Sequence, residues 1–201
     1  MKLTWLGHSC FAVEQDGYTI ILDPYTGVPG HDDICTQAHA VLCSHGHFDH
    51  NAVGGVTLLG EKESPFTIRT VDVFHDEEFG TLRGENRIHI LTAGGVTVAH
   101  LGDLGHRLTA EQLAAIGQVD GILIPVGGTY TVDAAGAKAV CEALRPKWVV
   151  PMHYRHADCG FPVLLEAEDF LRLWAAEQVH RLDGAVLDIT ADTAGVQLLK
   201  Y

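Results

Sequence analysis

The stretch His45-Gly46-His47-Phe48-Asp49-His50 puts three imidazoles and a carboxylate within six residues. Alternate residues of an extended segment point the same way, so His45 and His47 can share one metal ion while Asp49 and His50 face a neighbouring one. The preceding run, residues 40–43, reads as a short buried strand that feeds the cluster through Ser44. The cluster thus hangs from a strand's C-terminal end, where clefts form.

Two ions need more donors than one loop supplies. Later apolar runs end at His75, at Asp103 and at His153, so one donor arrives at the end of each. Two dications about 3.5 to 4 Å apart call for a bridging carboxylate. Asp103 is the candidate, because Gly102 before it allows a close backbone approach. This reading gives His45, His47 and His75 to one ion, Asp49, His50 and His153 to the other, and Asp103 with a hydroxide between them.

The rest of the chain supports a mixed α/β frame. Residues 2–6, 10–14 and 18–22 read as a β-meander with a tight turn at Asp16-Gly17. Residues 66–74 form a further strand, and residues 87–91 and 96–101 form a hairpin about Gly94-Gly95. Thr109 and Asp133 are positioned to cap helices, the second ended by Pro146. Residues 121–126 and 148–152 read as strands, residues 166–179 as a third amphipathic helix, and residues 185–189 with 196–199 as a terminal hairpin. The expected architecture is two sheets packed as a sandwich with helices outside, in one domain over residues 1–201.

Charge and cysteine usage exclude several classes. With 13 Lys and Arg against 26 Asp and Glu, the net charge is -13, and an acidic surface repels a phosphate backbone. Nucleic acid is not an expected partner, and a nuclease role is disfavoured. No apolar run approaches the roughly 18 to 20 residues that cross a bilayer, so no membrane association is expected. Five cysteines without a C-x-x-C pair fit reduced thiols and a cytoplasmic location. A small-molecule substrate remains.

At this point the chain resembles the metallo-β-lactamase-fold superfamily, whose strand-end ligands run His-x-His-x-Asp-His, then His, Asp and His. All seven positions match. Trp5-Leu6-Gly7-His8-Ser9-Cys10-Phe11, Leu22-Asp23-Pro24, His75-Asp76, Gly84-Glu85-Asn86, His100-Leu101-Gly102-Asp103-Leu104-Gly105 and Pro151-Met152-His153-Tyr154 are similar to the branch of L-ascorbate-6-phosphate lactonase-like and uncharacterised metal-dependent hydrolases. The resemblance implies a four-layer αββα sandwich with a two-metal site on one rim. The oxygen-reducing di-iron members of the superfamily carry glutamate at the position of His47, which favours hydrolysis here. The branch also suggests a homo-oligomer.

The expected activity is cleavage of a small ester, lactone or phosphodiester, and the different-class alternative is a non-catalytic metal- or ligand-binding protein of the same fold. A dication lowers the pKa of its water to about 7, and Asp49 would orient the resulting hydroxide. Zinc is the expected metal, although a His/Asp donor set also accepts manganese, iron or nickel. His8 is a further candidate for supporting the ligands or touching substrate, and Asp23 for receiving a ligand histidine's ring N–H. His106, His156, Asn86 and Tyr130 lie on segments beside the ligands and are candidates for substrate contact.

Overall fold

The computed structural model describes residues 1–201. In chain order its elements are β1 (Lys2–Trp5), β2 (Phe11–Gln15), β3 (Tyr18–Leu22), β4 (Thr36–Ala38), β5 (Ala40–Leu42), β6 (Val56–Leu58), β7 (Thr67–Phe74), β8 (Glu85–Ala93), β9 (Val96–His100), α1 (Ala110–Ile116), β10 (Gly121–Pro125), α2 (Ala134–Leu144), β11 (Trp148–Met152), α3 (Ala167–Leu171), β12 (Val179–Arg181), β13 (Val186–Asp188) and β14 (Gly195–Leu198). Five strands form one sheet in the order β13-β1-β2-β3-β5, and seven form a second in the order β12-β14-β11-β10-β9-β8-β7. No helix is long and apolar enough to cross a membrane.

Local sequence chemistry accounts for most of these elements. Asp16 and Gly17 both take left-handed φ, +50° and +69°, the twist that a two-residue hairpin between β2 and β3 requires. Along the meander, Phe11, Val13, Ile20 and Leu22 bury into the main core with Leu3 and Trp5. Ala12 and Ile21 point the other way, into a small cluster with Tyr25, Val28, Ala38 and Val56. This alternation of period two is what a sheet covered on both faces demands. In β10 and β11 every residue is buried, as expected of central parallel strands. The Thr109 side chain accepts from Gln112 N and the Gln112 side chain returns to Thr109 N, a capping box that starts α1. Asp133 caps α2 through Gly136 N, and α2 ends at left-handed Arg145, one residue before Pro146.

Several expectations need correction. The third helix is only Ala167–Leu171, and the rest of its stretch becomes a 3-10 turn (Ala176–Gln178) and β12. Val179 pairs with Val196, so sheet pairing overrides a weak helical preference. The terminal pair is not a hairpin. Strand β13 pairs with β1 in the five-stranded sheet, whereas β14 lies between β11 and β12 in the seven-stranded one. Apolar alternation marks a strand's face without naming its partner, so the two were indistinguishable from a hairpin. Strand β5 sits at an edge, half-buried and paired only to β3. Strands β4 and β6, too short to read, pair with each other. This ribbon and the loops around it cover the outer face of the five-stranded sheet, while α1 packs on β7 and α2 on α3 beside the larger sheet.

Candidate metal centre

The pairings fix a common direction in each sheet. Strands β1, β3 and β5 run parallel to one another, as do β7, β9, β10 and β11. The C-terminal ends of the first set deliver His8, Asp23 and the His45–His50 loop, and those of the second deliver His75, Asp103 and His153. Two sheets thus aim their polar strand ends at one rim.

Asp103 occupies the middle. Its Oδ1 lies 3.2 Å from His50 Nε2, and its Oδ2 lies 3.1 Å from His75 Nε2 and 3.2 Å from His153 Nε2. One cluster holds donor atoms of His45, His47 and His75, a second those of His8, Asp49, His50 and His153, each set within 4.8 Å of one another. The first cluster brings together the three histidines that the sequence pattern grouped around one ion. The second set gains His8.

The donor chemistry fits divalent cations. His45 Nε2, His50 Nε2, His153 Nε2, Asp103 Oδ1 and both ring nitrogens of His8 are buried without a hydrogen-bond partner. Buried polar atoms are otherwise almost always paired. Separations of 3.1 to 3.8 Å between Asp103 or Asp49 oxygens and the facing imidazoles compare with about 3.3 to 3.6 Å between neighbours of a tetrahedral cation with 2.0 to 2.2 Å bonds.

Electrostatics set the protonation of these groups. Burial alone would raise the Asp103 carboxyl, but the His153 and His50 imidazoles outweigh it and hold it well below the usual range. Burial would raise Asp49 as well, yet His8 and His50 beside it bring it down to about 2. Burial and the neighbouring His50 push His45 down to about 3, leaving a neutral imidazole with a free lone pair. His50 is the opposite case: burial lowers it, and Asp103 with Asp23 raises it well above its ordinary value. A cation would displace that proton.

Behind the ligands lies a second layer of contacts. Asp23 is fully buried, lies 2.8 Å from His50 Nδ1, and accepts from Ser44 N at 2.7 Å and from Ser44 Oγ at 2.6 Å. Ser44 Oγ also meets His45 Nδ1 at 2.9 Å, and His75 Nδ1 lies 3.1 Å from the Tyr130 carbonyl. Such contacts would fix which ring nitrogen faces a bound ion. Gly102 has φ +54°, and a Cβ there would lie 2.3 Å from Asn86 Oδ1 and 2.5 Å from Ser44 Cβ, so glycine is required. Asn86 donates to Leu101 O and accepts from Asp103 N, holding the turn that presents Asp103.

The remaining candidates do not converge on the cluster. His106 is occupied by backbone, accepting from Phe74 N through Nε2 and contacting Arg107 O through Nδ1. His156 lines a separate cavity of about 590 Å³ with Tyr154, Glu166, Arg181 and Tyr201. Tyr130 contributes its carbonyl, and its ring lies beneath Arg83. Asn86 supports Asp103 from behind rather than facing a ligand. Sequence reading gave Ser44 no role and left His100 open between packing in its strand and supporting the site. His100 donates to Ser9 O and accepts from Gly102 N. The available signal was adjacency: Ser44 precedes His45, and His100 stands three residues before Asp103.

A sandwich whose two sheets direct a His/Asp cluster to one rim defines the metallo-β-lactamase fold class. A family model described as the β-lactamase superfamily domain matches residues 2–153, and the chain belongs to that superfamily. A UPF0173 metal-dependent hydrolase of Carboxydothermus hydrogenoformans is 33% identical over 193 residues, covering 77% of this chain and 84% of the relative. A UPF0173 protein of Pyrococcus furiosus is 31% identical over 179 residues, covering 77% and 83%. Among solved structures, a candidate Zn-dependent hydrolase of the metallo-β-lactamase superfamily from Thermotoga maritima is 34% identical, covers 98% of this chain and 97% of its own, and superposes with a TM-score of 0.77. An isothiocyanate hydrolase from Delia radicum gut bacteria shares the fold, with a TM-score of 0.65 at 14% identity, covering 86% of this chain and 91% of its own.

Proposed function

We propose that the protein is a two-metal hydrolase of a small ester, lactone or phosphodiester. His45, His47 and His75 would hold one ion, Asp49, His50 and His153 the other, and Asp103 would stand between them. The observation that carries this reading is the set of buried, unpartnered donors around Asp103. Relatives named metal-dependent hydrolases support metal-dependent hydrolysis. Divalent ions held there would supply a nucleophile near neutral pH, because a dication lowers the pKa of its water from about 15.7 to about 7.

The protein groups have distinct tasks. Asp49, with its side chain 14% exposed, faces the open side and can orient the attacking water and take up its proton. His47 is exposed, so substrate approaches over it. A polar cleft of about 540 Å³ beside His45 and His47 is lined by Arg83, Glu85 and Arg87 among others, and it suits a small polar molecule better than an apolar one. The net charge of -13 argues against a nucleic-acid substrate. Zinc is the favoured metal, and manganese, iron or nickel fit the same donors.

The test is metal content together with turnover of lactones, thioesters, phosphodiesters and phosphomonoesters by wild type, Asp49→Ala and His153→Ala. Two ions per chain, with one substrate class cleaved only by wild type, is the expected result. A chain that stays metal-free after reconstitution overturns the site. One that binds metal and cleaves nothing is a binding protein.

A further inference from the structure

We propose that His8 is a fourth protein ligand of the ion assigned to Asp49, His50 and His153. His8 is 1% exposed, and neither ring nitrogen has a hydrogen-bond partner. A neutral imidazole has one N–H to donate and one lone pair to fill, and a cation at Nε2 would fill the lone pair that no protein atom fills, leaving the N–H on Nδ1. Its Nε2 stands 3.4 Å from Asp49 Oδ2, a separation expected for two ligands on one cation. Its donor atom groups with those of Asp49, His50 and His153 within 4.8 Å. The ring centroid is 4.3 Å from that of His153 and 5.3 Å from that of His50.

The backbone holds residue 8 in this position at a cost. His8 is a non-glycine residue at φ +49°, a conformation that persists only when surrounding contacts impose it. Two contacts do so: Trp5 Nε1 donates to His8 O at 3.0 Å, and His153 N donates to the same oxygen at 3.2 Å. The second ties His8 to a residue of the same cluster. His8 also follows the C-terminal end of β1, in the parallel set whose last strand carries His45 to His50. Its placement is therefore that of the other proposed ligands, just past a strand's C-terminal end on the shared rim.

The consequence is an asymmetric pair. Three imidazoles serve one ion, three imidazoles and a carboxylate serve the other, and Asp103 lies between them. The partly exposed three-histidine side keeps room for substrate, while on the other side the imidazoles of His8, His50 and His153 are buried and only Asp49 reaches the open face.

His8 takes this role only if two ions are held as proposed above, and the following experiment separates the two failures. Wild-type protein with ¹⁵N-labelled histidine is loaded with ¹¹³Cd²⁺, and cadmium–nitrogen scalar couplings are counted by NMR. Six coupled histidines (His8, His45, His47, His50, His75 and His153) are expected, and five without His8 would overturn this inference while leaving the two-ion reading intact. No coupled histidine would overturn both. In parallel, zinc binding to His8→Ala should retain one ion at wild-type affinity. The other should weaken by more than the roughly 10- to 100-fold that losing a ligand's outer partner costs, and added imidazole should restore it. Unchanged affinity for both ions in a variant with wild-type far-UV circular dichroism would also refute the assignment. Because the NMR count is made on wild type, a variant that fails to fold leaves the test standing.

Discussion

Replacing Asp23 by asparagine asks how strongly the ligands are held from behind. The carboxylate serves three groups, Ser44 N at 2.7 Å, Ser44 Oγ at 2.6 Å and His50 Nδ1 at 2.8 Å, and is itself fully buried. Asparagine keeps one acceptor oxygen and presents an N–H in place of the other, so at least one of the three is left facing a donor. A buried donor without a partner costs about 1 to 3 kcal/mol, which at about 1.4 kcal/mol per decade is roughly 5- to 150-fold in binding. The range brackets the 10- to 100-fold usual for groups behind metal ligands. Zinc affinity at the ion served by His50 should fall by about 10- to 100-fold. The loss should be smaller at the other ion, which Asp23 reaches only through Ser44 and His45. Competition against a chromophoric chelator measures both. The Asp23 carboxyl, which burial would raise but His100, His50 and Ser44 hold well below its ordinary value, stabilises the metal-free protein above the unfolded value near about 3.9. The variant's loss of thermal stability should therefore be complete at neutral pH and shrink in acid. Wild-type affinities at both ions would refute the reasoning.

Other perturbations give separate checks. In the metal-free protein the raised His50 contributes stability that is fully present below about pH 6.5 and lost as pH rises through its higher folded value. The gain in Tm on adding zinc should therefore widen with pH above neutrality in differential scanning calorimetry, and a flat gain would contradict this. Asn86→Ala removes a donor from Leu101 O and an acceptor from Asp103 N. It should cost about 1 to 3 kcal/mol in urea unfolding, with zinc affinity falling alongside; stability and affinity that both match wild type would exclude the support role. Gly102→Ala forces a Cβ to 2.3 Å from Asn86 Oδ1 at φ +54°, and should yield insoluble protein or lose more than about 3 kcal/mol. A soluble variant of wild-type Tm would show that the turn can relax. Chelation of bound metal should lower Tm, by linkage, whereas Asp103→Ala should respond little to chelator because its site is broken.

The parts of this molecule legible in the sequence were those written locally. Asp16-Gly17 dictates its hairpin, Thr109 and Asp133 cap their helices, and alternation in β2 and β3 assigns inner and outer faces. The convergence of His45, His75, Asp103 and His153 was also legible, because each ends an apolar run and strand ends on one rim are where donors meet. What failed was pairing over distance. Nothing in Val186–Asp188 or Gly195–Leu198 says that they join different sheets, since burial of Leu187 and Val196 would look the same in a hairpin. His8 was singled out for its position, yet its closeness to His153 depends on a contact spanning most of the chain. His106 misled for the complementary reason: three residues past Asp103, its ring turns back to bond the backbone of Phe74.

Because the donors come from both sheets, the cluster links segments about a hundred residues apart, from His45 to His153. A growing chain cannot complete the cluster until β11 has been synthesised and the second sheet has closed on the first. Bound ions would then act as a late clasp over a long loop, where a cross-link restricts the unfolded chain most. Contacts made only after the folding barrier slow unfolding and leave the folding rate nearly unchanged. The metal should therefore govern how long the folded chain survives more than how quickly it forms.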